Sequence, residues 1–289
     1  MILIPTYNVA MTEEASTIDV IVTASYSATS NSVLPLKQTV QSILNFDDFK
    51  NGNISFNLII AIDGLHLRYC SRRHIRRRQK WIKKVHNLTI KSGSVVVNPE
   101  WGHLSGSLSY VVNHYCKSPF ILIVQDDLRF IRNIPLKEIL DCIDYNSSLL
   151  HIRFNKRRTV LAGGDTSLAQ LKIGSLNFVK TNNWSDNNYI TTLKHFKETL
   201  MPLFCEEKTF PENILRPLNH NQPEKFGTYI FGKLDEEPLI VHLGDRRGRI
   251  RARFGDGQIL LRMPWTYQLI DVAIRLFDLI RRSLHRYQK

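Results

Sequence analysis

In the first half of the chain, short runs that are apolar throughout alternate with segments whose apolar residues recur every three or four positions. Residues 18–24, 56–62 and 120–124 are the three clearest runs, the last opened by Ser118-Pro119. A run without polar alternation belongs to a strand covered on both faces, as in a parallel sheet with helices on each side. Between the first two runs, Pro35 opens a helix that places Leu36, Val40, Ile43 and Leu44 on one face. Strand, helix and strand in this order form a parallel crossover unit. Residues 94–98 give a further strand. Gly102 and Gly106 then flank a turn into a helix carrying Leu108, Val111, Val112 and Tyr115, and residues 135–143 and 149–154 give one more helix and strand. The pattern predicts an α/β fold with a mostly parallel central sheet flanked by helices.

Beyond about residue 160 the alternation breaks down. A strand is expected over 175–180 and a helix over about 189–203. A looped stretch holding Pro211, Pro217 and Pro223 follows, then strands near 229–231 and 240–243. Residues 1–17 look like a leader. Residues 246–289 form a basic extension whose helix, about 265–287, carries the apolar stripe Leu269, Val272, Ala273, Leu276, Ile280 and Leu284. Arg275, Arg281, Arg282, Arg286 and Lys289 flank that stripe. Docking on the protein's own core and peripheral contact with an anionic membrane both suit such a helix.

Composition narrows the picture. A hydrophobic fraction of 43% excludes a mainly disordered chain, and a net charge of +13 implies an anionic partner without saying which. The densest basic run, residues 72–84, reads as a solvated helix face with Ile75, Trp81 and Ile82 inward. It also suits RNA or lipid headgroups, but no RNA-recognition pattern accompanies it, so nucleic acid is not the expected partner. Cys70, Cys116, Cys142 and Cys205 lack the spacing of a zinc site or a disulfide framework. No apolar run reaches the roughly 20 residues that cross a bilayer, and residues 1–5 lack a signal-peptide pattern. The expected setting is therefore cytoplasmic, with the sequons at Asn53, Asn87, Asn146 and Asn183 as chance matches.

Candidate chemistry gathers at strand ends. Thr23, Ser25 and Tyr26 follow the first strand, Asp63-Gly64 the second, and Gln125-Asp126-Asp127 the apolar strand 120–124. In open α/β sheets ligands bind beyond the carboxyl ends of the strands. Two adjacent acids there repel and lose hydration, so a divalent cation, Mn²⁺ or Mg²⁺, bearing substrate phosphates is their natural partner. A capping acid is the simpler reading for one of the two, and Asp63-Gly64 also fits an ordinary turn. His242 closes a late strand and is either a metal ligand or structural. Arg246, Arg247 and Arg249 follow it and suit a diphosphate. In Trp184-Ser185-Asp186-Asn187 an indole could stack on a sugar ring and Asp186 could act as a general base. A helix cap at Ser185 or Asp186 competes with that reading.

With these residues assembled, the chain resembles the GT-A glycosyltransferases, family-2-like, over roughly residues 18–245. The resemblance implies a single Rossmann-like domain, with 18–130 as a nucleotide-sugar-binding half and 150–245 as an acceptor-binding half. It implies sugar transfer from a nucleoside-diphosphate sugar to a hydroxyl acceptor such as a glycan, by an inverting, metal-dependent enzyme. On the positions that match, Asp63 would contact the nucleoside and Asp127 would ligate the metal with Asp126 beside it. His242 would be the late metal ligand, Trp184 and Asn187 would face the acceptor, and Asp186 would be the catalytic base. Gln125 departs from the family's pattern, standing where the first acid of DxD is expected. A nucleotidyltransferase is the alternative enzyme, although no Gly-rich phosphate loop follows the first strand. A basic nucleic-acid-binding protein is the alternative of another class.

Overall fold

The computed structural model describes residues 16–26, 32–89, 93–159 and 167–243. The chain divides into two units, 1–243 and 244–289, and all described residues belong to the first. Arg246, Arg247, Arg249, the C-terminal helix and most of the leader lie outside the described residues.

The first crossover unit forms as the apolar pattern dictates. Strand β1 (Ser16–Ala24) pairs in parallel with β2 (Ile54–Ile62), and α1 (Leu34–Leu44) and the short α2 (Asp47–Lys50) lie between them in sequence. A 3-10 turn, Leu67–Tyr69, leads into α3 (Arg72–Thr89), the predicted basic helix. Its inner face holds Trp81 and Val85, but Ile75 is exposed, contrary to expectation. Strand β3 (Gly93–Val97) extends the parallel sheet beside β2. Next come α4 (His103–His114) and β4 (Phe120–Gln125), the latter parallel to β1 on its other side. The sheet residues alternate between two apolar layers: Ile18, Val20 and Val22 of β1 join one, and Ile21 joins the other. Both faces of the sheet are covered, which is why these strands read as continuous apolar runs.

Strand β5 (Leu128–Phe130) was not legible in the sequence. Beyond it lie α5 (Leu136–Tyr145), β6 (His151–Arg153), β7 (Ser167–Ile173) and β8 (Leu176–Thr181). The segment expected to be helical from 189 begins instead as β9 (Tyr189–Thr192). Tyr189-Ile190-Thr191-Thr192 is aromatic and β-branched, a composition that suits a pleated, buried position. Helix α6 (Leu193–His195) begins only after it, capped by the Thr192 hydroxyl, which accepts from His195 N at 3.0 Å. A π-helical turn, Phe196–Leu200, and a 3-10 turn, Met201–Leu203, continue it.

The proline-bearing stretch is not looped. Pro211 and Pro223 stand at the first positions of α7 (Pro211–Asn221) and α8 (Pro223–Phe226), where a missing N–H costs nothing. Strands β10 (Thr228–Phe231) and β11 (Ile240–His242) complete the described chain.

Nine strands form the main sheet in the order β3-β2-β1-β4-β9-β6-β10-β8-β7, and β9 and β8 run against the direction of the other seven. The fold is thus an α/β domain with a mostly parallel central sheet. Strands β5 and β11 form a separate antiparallel pair. Among the described residues no helix is long and apolar enough to cross a membrane.

One buried acid holds the sheet's central turn. Asp19, 2% exposed within β1, accepts from Lys117 N at 2.7 Å and Ser118 N at 2.8 Å through Oδ2. Its Oδ1 accepts from Asn57 Nδ2 at 3.1 Å. These bonds fix the entry to β4. Replacing Asp19 by Ala leaves two backbone donors without their acceptor, so Asp19→Ala is expected to lower unfolding free energy by about 3 kcal/mol in urea denaturation.

Candidate functional site at the carboxyl edge of the sheet

The carboxyl ends of β1, β2, β4 and β6 open on one edge. Strand β9 is antiparallel, with Tyr189 opposite both Ile123 and Arg153, so the segment before it, 184–188, arrives at that same edge. Sequence reasoning placed Asp186 near the paired acids only through a family resemblance. Strand β9 supplies the physical reason.

Gln125 ties the two parts together. Its backbone N–H donates to Asn188 Oδ1 at 3.1 Å, and its side-chain Nε2 donates to the Asp186 carbonyl at 2.8 Å. A carboxylate cannot donate, which explains glutamine at this position. Asn188 also donates through Nδ2 to Leu128 O at 2.9 Å, so one buried amide spans β4 and β5.

The two acids that follow have different surroundings. Asp126 is 7% exposed, and its Oδ2 accepts from Ser25 N at 3.3 Å, while its backbone N–H donates to Thr23 O at 3.1 Å. It fastens the turn after β1. Asp127 lies further out, its side chain one-fifth exposed, with Oδ2 3.3 Å from His242 Nε2. The pairing of β5 with β11 sets this contact, since Leu128 lies opposite His242 and Leu243 N donates to Asp127 O at 2.8 Å. A carboxylate and an imidazole, both partly open to solvent, suit a divalent cation that takes its remaining ligands from water and phosphate. Among the described residues no third His, Cys, Asp or Glu joins them.

Thr23 is buried and donates to Val124 O, and Tyr26 meets the Trp81 ring edge-on at a centroid distance of 6.1 Å. Both residues thus pack the end of β1. Asp63 holds two turns: its Oδ1 accepts from Gly64 N at 2.8 Å and Gly102 N at 3.0 Å, next to the start of α4. Gly64 is required there, because a Cβ would lie 2.1 Å from the Glu100 carbonyl. Burial pushes the Asp63 carboxyl up to about 6, against the pull of the Gly102, Gly64 and His103 N–H groups and Arg78.

Asp186 is 6% exposed. Its Oδ1 accepts from Glu212 N at 3.1 Å in the first turn of α7, and Glu212 Oε2 accepts from Asp186 N and the Ser185 hydroxyl. Asp186 is thus a helix cap, but for α7 rather than for the helix that follows it in sequence. Burial and the Glu212 charge hold its carboxyl well above the usual range. Trp184 is 1% exposed, with the His151 ring stacked on it at 5.1 Å, and it forms part of the wall of a polar pocket beside Ser185. Asn187 and Ser185 reach the same pocket, of about 170 Å³, that also holds Arg153, Lys156, Arg157 and Arg216. Neither Glu212 nor this basic pocket was found from sequence. The signal was present in Lys156-Arg157, whose strand of origin was recognised, but Glu212 and Arg216 sat in a segment read as loop.

No protein-family model matches the chain, and no curated protein matches it. Solved structures do, at low identity. The mannosyltransferase PcManGT from Pyrobaculum calidifontis, in complex with GDP-Man and Mn2+, is 10% identical with a TM-score of 0.39, over 62% of this chain and 45% of that one. S. aureus TarS 1-349, in complex with UDP-GlcNAc, is 14% identical with a TM-score of 0.48, over 78% and 57%. A cytidylyltransferase from Leptospira borgpetersenii is 12% identical with a TM-score of 0.46, over 78% and 82%. The chain spans about half the length of the mannosyltransferase and of this form of TarS.

Two substitutions test this geometry. Gln125→Glu replaces the donor to the Asp186 carbonyl by an acceptor, and is expected to cost about 2 kcal/mol in urea denaturation without strengthening Mn²⁺ binding. Asp63→Asn retains an acceptor for Gly64 and Gly102 but removes the ionisation. The raised carboxyl favours the fold below about pH 4, and that advantage is lost as pH rises through about 6. The variant is therefore expected to gain stability relative to the wild type between pH 4 and pH 7, read from paired denaturation curves.

Proposed function

We propose that this protein transfers a sugar from a nucleoside-diphosphate sugar to a hydroxyl acceptor with inversion. The observation that supports this most is the placement of a partly exposed Asp127–His242 pair and a buried Asp186, its carboxyl raised above the usual range, at one sheet edge, joined through the Gln125 amide. Residues 18–130 would bind the donor, with Asp63 and the end of β1 toward the nucleoside. Residues 150–245 would bind the acceptor.

Asp127 and His242 would hold a divalent cation, which when bound offsets the negative charge developing on the departing diphosphate. Asp126 would keep the turn after β1 in place beside it through Ser25 N. Asp186 would accept the proton of the attacking hydroxyl. A carboxyl held above its usual range is a stronger base once ionised, and the Glu212 N–H orients its Oδ1. The Gln125 amide would keep the backbone of Asp186 at a fixed position relative to Asp127.

The donor half is tested by thermal shift of the full chain with nucleoside diphosphates, with and without Mn²⁺. Stabilisation by at least one nucleotide that requires the cation and vanishes in Asp127→Ala and His242→Ala is the expected result. The chemical half is tested with Asp186→Asn, which can keep the Glu212 N–H bond but cannot take a proton. Transfer is expected to fall about 10²–10⁴-fold with nucleotide affinity intact. Full transfer by Asp186→Asn removes it from the catalytic role.

A further inference from the structure

The pocket beside Asp186 has a composition that glycosyl transfer to a neutral sugar does not need. Its walls carry Arg153, Lys156, Arg157 and Arg216 against a single carboxylate, Glu212. That carboxylate is already engaged: Oε2 accepts from Ser185 Oγ at 3.2 Å and from Asp186 N at 3.3 Å, and Oε1 lies 3.6 Å from Arg216 NH1. The adjacent Arg158 faces elsewhere and pairs with Asp235 and Glu237. Lys156 and Arg157 have no ion pair among the described residues, and Arg153 is 3% exposed at the end of β6. Lys156, Arg157 and Arg216 stand exposed around the pocket; cations gathered at one concavity attract an anion, and guanidinium groups match phosphate or carboxylate oxygens in pairs.

We infer that the acceptor carries an anionic group, a phosphate or a carboxylate, and that Arg153, Lys156, Arg157 and Arg216 grip it beside Asp186. This rests on the glycosyl-transfer reading above. Size separates this ligand from the donor: about 170 Å³ is below the 300–1,000 Å³ typical of sites for whole cofactor-sized ligands, but roomy for one anionic group. Position does the same. The pocket shares Glu212 with Asp186, so an anion seated in it brings its neighbouring hydroxyl to the proposed base.

The test uses inorganic phosphate as the probe, titrated calorimetrically into the full chain. Saturable binding is expected, weakened at least ten-fold in Arg157→Ala and further in Lys156→Gln/Arg157→Ala, two surface changes that leave the core intact. Displacement by methyl phosphate or by acetate identifies which of the two anion classes the acceptor bears. The same variants are then titrated with nucleoside diphosphate and Mn²⁺, where affinity within three-fold of wild type is expected. Absence of saturable phosphate binding overturns the inference, as do variants that bind phosphate like the wild type and phosphate that neither methyl phosphate nor acetate displaces. A parallel ten-fold loss of nucleoside diphosphate affinity overturns it differently, by assigning the pocket to the donor. Failure of the glycosyl-transfer reading itself is seen separately, as wild-type protein that no nucleotide stabilises with Mn²⁺.

Discussion

The whole site depends on one antiparallel strand. Strand β9 enters between β4 and β6 and hydrogen-bonds to both, with Tyr189 opposite Ile123 on one side and Arg153 on the other. Had this segment run parallel to its neighbours, its leading end would lie at the amino edge of the sheet. Because it is reversed, residues 184–188 stand beside Gln125-Asp126-Asp127 and the end of β6. The same strand thus fixes the position of Asp186 relative to Asp127 and delivers the basic residues after Arg153 to the other flank. A slip of one residue in its register would turn Ile190 and Thr191 onto opposite faces and carry Asp186 out of reach of the Gln125 amide.

Several acids at the two ends of the sheet are occupied in holding backbone, and this separates them from Asp127. Asp19, Asp63 and Asp126 each accept from backbone N–H groups and thereby fix the turns that follow or precede strands. Asp127 has an imidazole as its side-chain partner and stands further into solvent. A carboxylate already bonded to backbone N–H groups has less capacity left for a ligand than one that is partly exposed and faces an imidazole. That difference separates Asp127 from Asp126 as the better candidate for a cation. Asp63 likewise has a structural duty, holding the Gly64 and Gly102 N–H groups.

Where the sequence was legible, burial on both faces made it so. Apolar strands such as 18–24, 56–62 and 120–124 leave no second reading, and Pro35 marks a helix start with equal clarity. The segment 189–203 misled because Tyr189-Ile190-Thr191-Thr192 is apolar enough to continue the helical spacing beyond it; only pairing with two strands distant in sequence decides its state. Pro217 misled in the opposite sense, since a proline inside a helix is rare and the helix around it is sustained by packing of Leu215 and Asn219. Strand β5 has three residues, too few for any periodicity, yet its pairing with β11 is what brings His242 to Asp127. The sequence brought the paired acids and His242 together only through the family resemblance, and the pairing of β5 with β11 is the physical reason for their contact. Trp184 sits among the polar residues Asn182, Asn183, Ser185 and Asp186. Its indole nevertheless turns inward onto His151.

That inward turn shapes the electrostatics of the site. Behind Asp186 lies a layer built from Trp184, His151, Tyr189 and His195, all buried. Desolvation acts on each according to its charge type: the His151 imidazole is held well below its usual range and that of His195 falls to about 4. The Asp186 carboxyl and the Tyr189 phenol move upward. Every one of these shifts favours the neutral form. The layer therefore offers no fixed counter-charge to an ionised Asp186, and charge at this edge is carried by the rim instead, by Lys156, Arg157 and Arg216 in front and by Asp127 to the side. A carboxyl backed by an uncharged layer is favoured in its neutral form, which is the direction in which burial and the Glu212 charge move Asp186.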